Sequence, residues 1–312
     1  MADFHPENAS KTPNRGHARR GGLILLRLTC LLSILLFIGW ATGCMERLFY
    51  VPTSGNTPLP LEFPDAESVW FTSEDGTKLH GWFIPGEHVE NDPIPSILHV
   101  HGNAGNITSH YGFTEYLPGA GFNVFIFDYR GYGQSEGKAR NRVDLIADTD
   151  AALEAMLQRK DVDPERVGLY GQSLGGAIGL NVMASRLEIK AGVFESSFAS
   201  WRDIAAEVLG GEKPGFIAKG LASLLINDDH RPIDAAALID RPLLFLHGTS
   251  DSIIPHAHGV RLAEAAADKA TLQSLPGGDH NSLRWTHPEV DQLIIDFFRN
   301  HLGKSNDSLL VD

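Results

Sequence analysis

Short apolar runs alternate with longer amphipathic stretches over most of the chain. The runs at 96–100, 122–128, 166–170, 190–194, 242–247 and 270–275 read as strands. The stretches 143–159, 174–186, 256–268 and 288–302 read as helices. Strands alternating with helices predict a mostly parallel sheet covered on both faces. Upstream, Ser68–Thr72 and Lys78–Ile84 flank Glu74-Asp75-Gly76, and Asp-Gly between two β-rich runs predicts a hairpin. Residues 198–240 break the alternation with two helix-like pieces, 201–209 and 216–226, so a small helical cap is predicted over the sheet edge.

The N-terminus has a different pattern. Residues 1–22 are polar, contain His17-Ala18-Arg19-Arg20, and read as a cytoplasmic or signal n-region. Residues 23–44 form an apolar run approaching the roughly twenty residues a bilayer-spanning helix needs. Arg27 lies near its start, where the side chain can snorkel to the headgroups. Basic residues before the run and acidic sequence after it predict that the downstream chain is translocated. The run closes on Ala41-Thr42-Gly43-Cys44, small residues before a cysteine, resembling a bacterial lipoprotein cleavage box. Two readings stay open: cleavage with lipidation of Cys44, or an uncleaved transmembrane anchor. Both predict a bacterial domain anchored to the membrane through residues 23–44, on the extracytoplasmic side. A Pro-rich linker (45–66), a folded domain (67–303) and a tail (304–312) complete the organisation.

Composition narrows the function classes. With 43% hydrophobic residues and 21% charged, the 312-residue chain is globular, which excludes a collagen-like or low-complexity protein. Net charge is −13, and residues 1–44 hold five basic residues against two acidic ones, so the remainder carries −16. Such a body has no general attraction for phosphate backbones, and nucleic-acid binding is set aside. The two cysteines, Cys30 and Cys44, both precede it. A cysteine nucleophile, a thiolate-zinc site and an iron–sulfur cluster are therefore excluded there, and no cofactor is predicted. Nothing in the sequence fixes an oligomeric state.

In open α/β sheets, reactive groups sit in loops at the carboxyl ends of strands. Gly171-Gln172-Ser173-Leu174-Gly175 follows strand 166–170 and precedes a helix rich in small residues, the context of a nucleophile elbow, so Ser173 is the candidate nucleophile. Gly133-Gln134-Ser135-Glu136-Gly137 fits the same spacing but follows no strand directly, and reads as a Gly-rich turn. His101-Gly102-Asn103-Ala104-Gly105-Asn106, after strand 96–100, can bring backbone N–H groups to an oxyanion; those of Asn103 and Leu174 are the candidates. A metal site on His99 and His101 is the competing reading, weakened by the lack of a carboxylate nearby in sequence; His101 reads as a brace for the loop. Asp251, after strand 242–247, would orient an imidazole, and His280, after strand 270–275, would act as general base. His256 and His258 read as solvated histidines. Trp201, Phe216 and the 221–226 run are candidates to line an acyl or leaving-group pocket, with plain cap core as the alternative.

The order Ser173…Asp251…His280, each on a strand-end loop, resembles the α/β-hydrolases. Over about residues 46–303 the chain is similar to their serine aminopeptidase-like (Hydrolase_4) group and, within it, to membrane-associated hydrolases of the ABHD type. Further residues carrying the resemblance are Glu46–Thr53 and Asp128-Tyr129-Arg130-Gly131-Tyr132-Gly133-Gln134-Ser135-Glu136-Gly137, in which Ser135 belongs to a structural loop. The resemblance implies an α/β-hydrolase fold and a cofactor-free serine hydrolase. It would cleave an ester or thioester of a small-molecule or acylated substrate through an acyl-enzyme. The alternatives are a peptidase or perhydrolase on the same residues, or a non-catalytic anchored binding protein.

Overall fold

A computed structural model describes residues 46–87 and 94–303, together with Arg27, Thr29, Leu31 and Ser33. The chain divides into two compact units, Met1–Thr42 and Gly43–Asp312. In the first, the four described residues are helical and exposed.

The second unit begins with a 3₁₀ turn, Glu46–Phe49, followed by β1 (Glu67–Thr72), β2 (Lys78–Ile84) and β3 (Ile94–Val100). Next come a one-turn helix α1 (Ile107–His110), β4 (Asn123–Asp128), α2 (Arg142–Leu157), β5 (Val162–Gln172), α3 (Leu174–Ser185) and β6 (Ile189–Glu195). Three helices come after β6: α4 (Trp201–Gly210), α5 (Phe216–Leu225) and α6 (Pro232–Leu238). The chain ends on β7 (Leu243–Gly248), α7 (Ala257–Ala266), β8 (Ala270–Leu275), a short α8 (Leu283–Thr286) and α9 (Glu289–Leu302).

The strands form one sheet in the order β1-β2-β4-β3-β5-β6-β7-β8. β2 pairs antiparallel with both β1 and β4, and every later pairing is parallel. The first two strands are the predicted hairpin, turned by Gly76 at φ 87°, a conformation that favours glycine. One sheet face buries Leu145, Leu153, Ile178 and Leu262, from α2, α3 and α7. The other buries Ile107, Leu283, Ile294 and Phe298, from α1, α8 and α9. This is the predicted mostly parallel sheet with helices on both faces.

The sheet order also brings two of the candidate segments together. After β4 the chain crosses β3 to form β5, so β3 and β5 are neighbours whose succeeding segments leave toward opposite faces. Their carboxyl ends border the crevice that such a topological switch opens. The loop of Asn103 and the turn of Ser173 occupy those two ends.

Among the observed elements, α1, α6 and α8 have no counterpart in the sequence reading. The first and last are single turns, too short for a periodic signal. α6 opens on Pro232, whose fixed φ suits the first turn of a helix, and it packs on α3 and α7. α4 and α5 pack on each other as the cap.

The expected membrane anchoring requires correction. Among the described residues no helix is long and apolar enough to cross a membrane. The longest is α2, with 16 residues, and it carries Asp144, Asp148, Asp150 and Glu154. The predicted anchored, extracytoplasmic location is accordingly withdrawn. Apart from Arg27, Thr29, Leu31 and Ser33, the 23–44 segment lies outside the described residues, Cys44 included, as does the 304–312 tail.

Candidate active site

Ser173 joins β5 to α3 in a strained turn, with φ 55° and ψ −116°. A non-glycine residue in that region costs on the order of 1–3 kcal/mol, which the surroundings must hold in place. They do so by close approach. A Cβ on Gly175 would collide with the carbonyl oxygen of Val100, at the end of β3. One on Gly171 would lie 2.8 Å from the Gly175 carbonyl oxygen, and one on Gly176 would lie 2.7 Å from the Ser197 Cβ. The Ser173 N–H donates to the Glu195 carbonyl at 2.8 Å. Although Ser173 stands at the helix N-cap, its hydroxyl makes no capping bond.

That hydroxyl instead meets His280, whose Nε2 lies 3.0 Å from Ser173 Oγ. The opposite ring nitrogen, Nδ1, lies 2.8 Å from Asp251 Oδ2 and 3.1 Å from Oδ1. The Asp251 side chain is fully buried. Burial opposes its ionisation, but hydrogen bonds from His247, His280 and the Ile254 N–H outweigh that penalty and hold the carboxyl well below the usual carboxylate range. Ile253 and Ile254 donate backbone N–H groups to Oδ1 at 2.9 and 2.8 Å. Asp279 ties the two loops together: its Oδ1 accepts from the Ser252 N–H at 2.8 Å and from the His280 N–H at 2.8 Å. Ser173, Asp251 and His280 are thus brought into one hydrogen-bonded line.

Asn103 and Leu174 line the same cavity as Ser173. The Asn103 side chain is held in place, accepting from Val51 N–H and Tyr132 hydroxyl and donating to the Phe49 carbonyl at 2.6 Å. Its main-chain N–H and that of Leu174 make no hydrogen bond to another described residue. Beneath this loop, His101 Nδ1 donates to the Gly102 carbonyl at 2.7 Å and His110 Nε2 to the Ala104 carbonyl at 2.9 Å. Burial holds both imidazoles below their ordinary pKa, so they brace the loop in neutral form. His99 meets Thr114 Oγ1 at 2.8 Å. Among the described residues, no group of three or more His, Cys, Asp or Glu is arranged to hold a metal.

Ser135 lies elsewhere. Its hydroxyl donates to the Asp128 carbonyl at 2.6 Å and accepts from the His80 N–H at 2.9 Å, locking the Gly-rich loop against β2 and β4.

The cavity beside Ser173 has a volume of about 350 Å³. Trp201, Ile204 and Ala205 from α4 face Ala222 and Leu225 from α5 across it, with Phe49 contributed by the N-terminal 3₁₀ turn. Phe216, a candidate for this lining, is 85% exposed and takes no part, because its position on α5 points outward. A larger, polar hollow of about 650 Å³ touches Asp251 and Arg261 but reaches neither Ser173 nor His280. The apolar cavity is the one in contact with the Ser173 hydroxyl.

Two sequence readings need correction and two residues were missed. His258 is not solvated: its Nδ1 accepts from the Ala199 N–H at 3.0 Å while Nε2 donates to Glu207 at 2.8 Å, fastening α4 to α7. His256 is partly buried, with Nε2 2.8 Å from Ser274 Oγ. Of the missed residues, Gln172 donates to Asn281 at 3.2 Å, and its Oε1 abuts Gly102, where a Cβ would collide with it. Glu195, buried at the end of β6, accepts from the Tyr170 hydroxyl at 2.6 Å. A carboxylate closing an apolar run at a strand's carboxyl end was the available signal.

Comparison with known proteins bears on the family and the fold. Residues 91–213 match the family described as serine aminopeptidase, S33. The uncharacterized protein YfhR of Escherichia coli K12 is 34% identical over 90% of this chain and 98% of its own length. The alpha/beta hydrolase domain-containing protein WAV2 of Arabidopsis thaliana is 33% identical, over 75% of this chain and 80% of its own. Among solved structures, the Pyrococcus furiosus esterase Pf2001 superposes with a TM-score of 0.67 at 21% identity, over 82% of this chain and 98% of its own, a likeness of fold.

Proposed function

Since the chain belongs to the α/β-hydrolase superfamily, we propose that it is a serine hydrolase cleaving an ester or thioester of a small-molecule or acylated substrate. In this reading Ser173 Oγ attacks the substrate carbonyl carbon while His280 Nε2 takes the hydroxyl proton. The N–H groups of Asn103 and Leu174 stabilise the charge that develops on the carbonyl oxygen; held by folded backbone, they need little reorganisation. The tetrahedral intermediate collapses as the imidazolium gives its proton to the leaving oxygen or sulfur. Water, deprotonated by His280, then attacks the acyl-enzyme and releases the acid and a free Ser173. Asp251 fixes the tautomer with Nδ1–H toward its carboxylate and stabilises the imidazolium.

One observation carries the reading. A single imidazole spans 3.0 Å to the Ser173 hydroxyl and 2.8 Å to a buried carboxylate whose hydrogen bonds favour its ionised form. The family matched over 91–213 favours an aminopeptidase as the second reading. Against it, the cavity beside Ser173 is lined by no carboxylate to receive a peptide's N-terminal ammonium.

Labelling of the full chain with a fluorophosphonate, followed by peptide mass spectrometry, tests the proposal. Label is expected on Ser173 and should vanish in Ser173→Ala. His280→Ala and Asp251→Asn should each slow turnover on the order of 10³-fold or more, whereas Ser135→Ala should retain both label and turnover. Label on Ser135, or none on the folded protein, overturns the assignment.

A further inference from the structure

Resting on the serine-hydrolase reading, we infer that the acyl group this site accepts is an uncharged apolar chain of roughly ten carbons, seated between α4 and α5. The first ground is the chemistry of the walls. Apart from Ser173 and Asn103, every residue lining the cavity is apolar. Asn103 offers no free acceptor, since its Oδ1 already accepts from Val51 and Tyr132, and one of its two amide hydrogens is taken by the Phe49 carbonyl. An α-ammonium would therefore lose its water and find no acceptor, and a carboxylate or hydroxyl would meet at most one neutral N–H in place of its water, a heavy penalty. Acyl groups of amino acids and hydroxy acids are disfavoured on this ground.

The second ground is size. The cavity measures about 350 Å³. An apolar protein cavity of about 150 Å³ holds the six carbons of benzene, so this one has room for roughly ten to fourteen. The third ground is how that room is made. Ala205 on α4 and Ala222 on α5 are both buried in the lining, at 7% and 1% exposure. Larger side chains at these two positions would fill the slot. Its outer lining, by contrast, includes Val208, Leu209 and Ile253, which are 77%, 59% and 56% exposed. The slot therefore opens along an apolar rim, and the ends of longer chains project there without further burial.

A series of p-nitrophenyl esters from acetyl to palmitoyl, assayed with the full chain, tests this. Each added methylene should raise kcat/KM by about fourfold until the slot is full, near ten carbons, after which the rise should stop. Ala222→Phe and the milder Ala205→Leu should move the break to shorter chains, and Leu225→Ala should move it to longer ones. All three leave Ser173, Asp251 and His280 untouched, so fluorophosphonate labelling of Ser173 should persist in each. Label on Ser173 with a flat length dependence, a break unmoved by all three variants, or a preference for aminoacyl esters overturns the acyl assignment and leaves the hydrolase reading standing. Absence of label on folded protein overturns both.

Discussion

Glu195 and Asp251 are buried carboxyls, and their surroundings pull them in opposite directions. Asp251 receives donors on both oxygens and is held ionised. Glu195 has one donor, Tyr170, on Oε2, and its Oε1 has no partner among the described residues. Burial pushes Glu195 up from 4.5 to about 7, with the Tyr170 hydrogen bond and the charges of His280 and Arg284 opposing it only in part. Carboxyls driven apart in this way suit a division of labour in which one stays charged and the other neutral. The consequence for stability has a definite sign. Because the folded-state value lies above the unfolded one, the native protein binds this proton more tightly. The associated stability is complete below about 4.5 and is lost as pH rises through about 7. The loss is on the order of 3 kcal/mol. Glu195→Gln imitates the protonated form at every pH. Its melting temperature relative to the parent should therefore climb between pH 5 and pH 8, while Asp128, also pushed up to about 7 by burial, cancels in the difference. A constant difference across that range would show that Glu195 does not titrate there.

At the scale of elements, the site depends on how closely α3 approaches β3. Gly175 permits that approach, since a side chain there would strike the Val100 carbonyl and force the helix, with Ser173 and Leu174 at its start, away from the Asn103 loop. Gly175→Ala should cost about 1–3 kcal/mol or more in stability by overpacking and should lower kcat further than that loss accounts for. Gly220, in the exposed middle of α5, has nothing within 4 Å of a would-be Cβ. Gly220→Ala should raise stability by about 0.5–1 kcal/mol through helix propensity alone, with turnover unchanged. Thermal melts and initial rates on the pair check this, and equal behaviour of the two variants would refute the tight-approach account. The strand-to-helix turn at Ser173, the strand runs and the strand-end position of the candidate loops were legible in the sequence because each is a local pattern. What escaped depends on distant segments meeting. Phe49 reaches the cavity from a 3₁₀ turn about 150 positions before α4, and His258 is buried only because α4 brings Glu207 and the Ala199 N–H to it. Phe216 was misjudged for a related reason, since an apolar residue on a helix open to solvent on one side can point either way. The apolar run at 23–44 lies, apart from Arg27, Thr29, Leu31 and Ser33, outside the described residues, among which no helix is long and apolar enough to cross a membrane.

At the scale of the whole second unit, Arg142 gathers the cap and the N-terminal turn onto α2. Arg142, at the start of α2 and 2% exposed, donates to the carbonyls of Asn227 and Asp229 at 2.7 and 2.8 Å. It also pairs with Glu46 at 2.9 Å and lies 4.3 Å over the Trp201 ring. A planar guanidinium can serve two carbonyls, a carboxylate and an aromatic face together; an ammonium cannot. Arg142 therefore connects the N-terminal turn that supplies Phe49, the helix that supplies Trp201 and the segment that closes α5. Arg142→Met would leave both carbonyls without their donor and Glu46 without its charged partner, at a cost of about 3–5 kcal/mol; Arg142→Lys should cost less. Other ties remain in both variants: His258 to Glu207, and Ser200 to Asp228 at 3.1 Å. The loss should therefore appear as local opening of the cap before the sheet unfolds. Limited proteolysis should cut the exposed 211–213 stretch between α4 and α5 sooner than in the parent, while amide exchange in β3, β5 and β6 stays slow. Turnover of acetyl esters, which need little of the slot, should persist, and the gain with chain length should flatten because its walls no longer hold their spacing. If both variants keep the parent's cleavage pattern and its length dependence, the cap is positioned by its apolar contacts and its remaining ties, and Arg142 merely fills a space that neutral side chains could occupy.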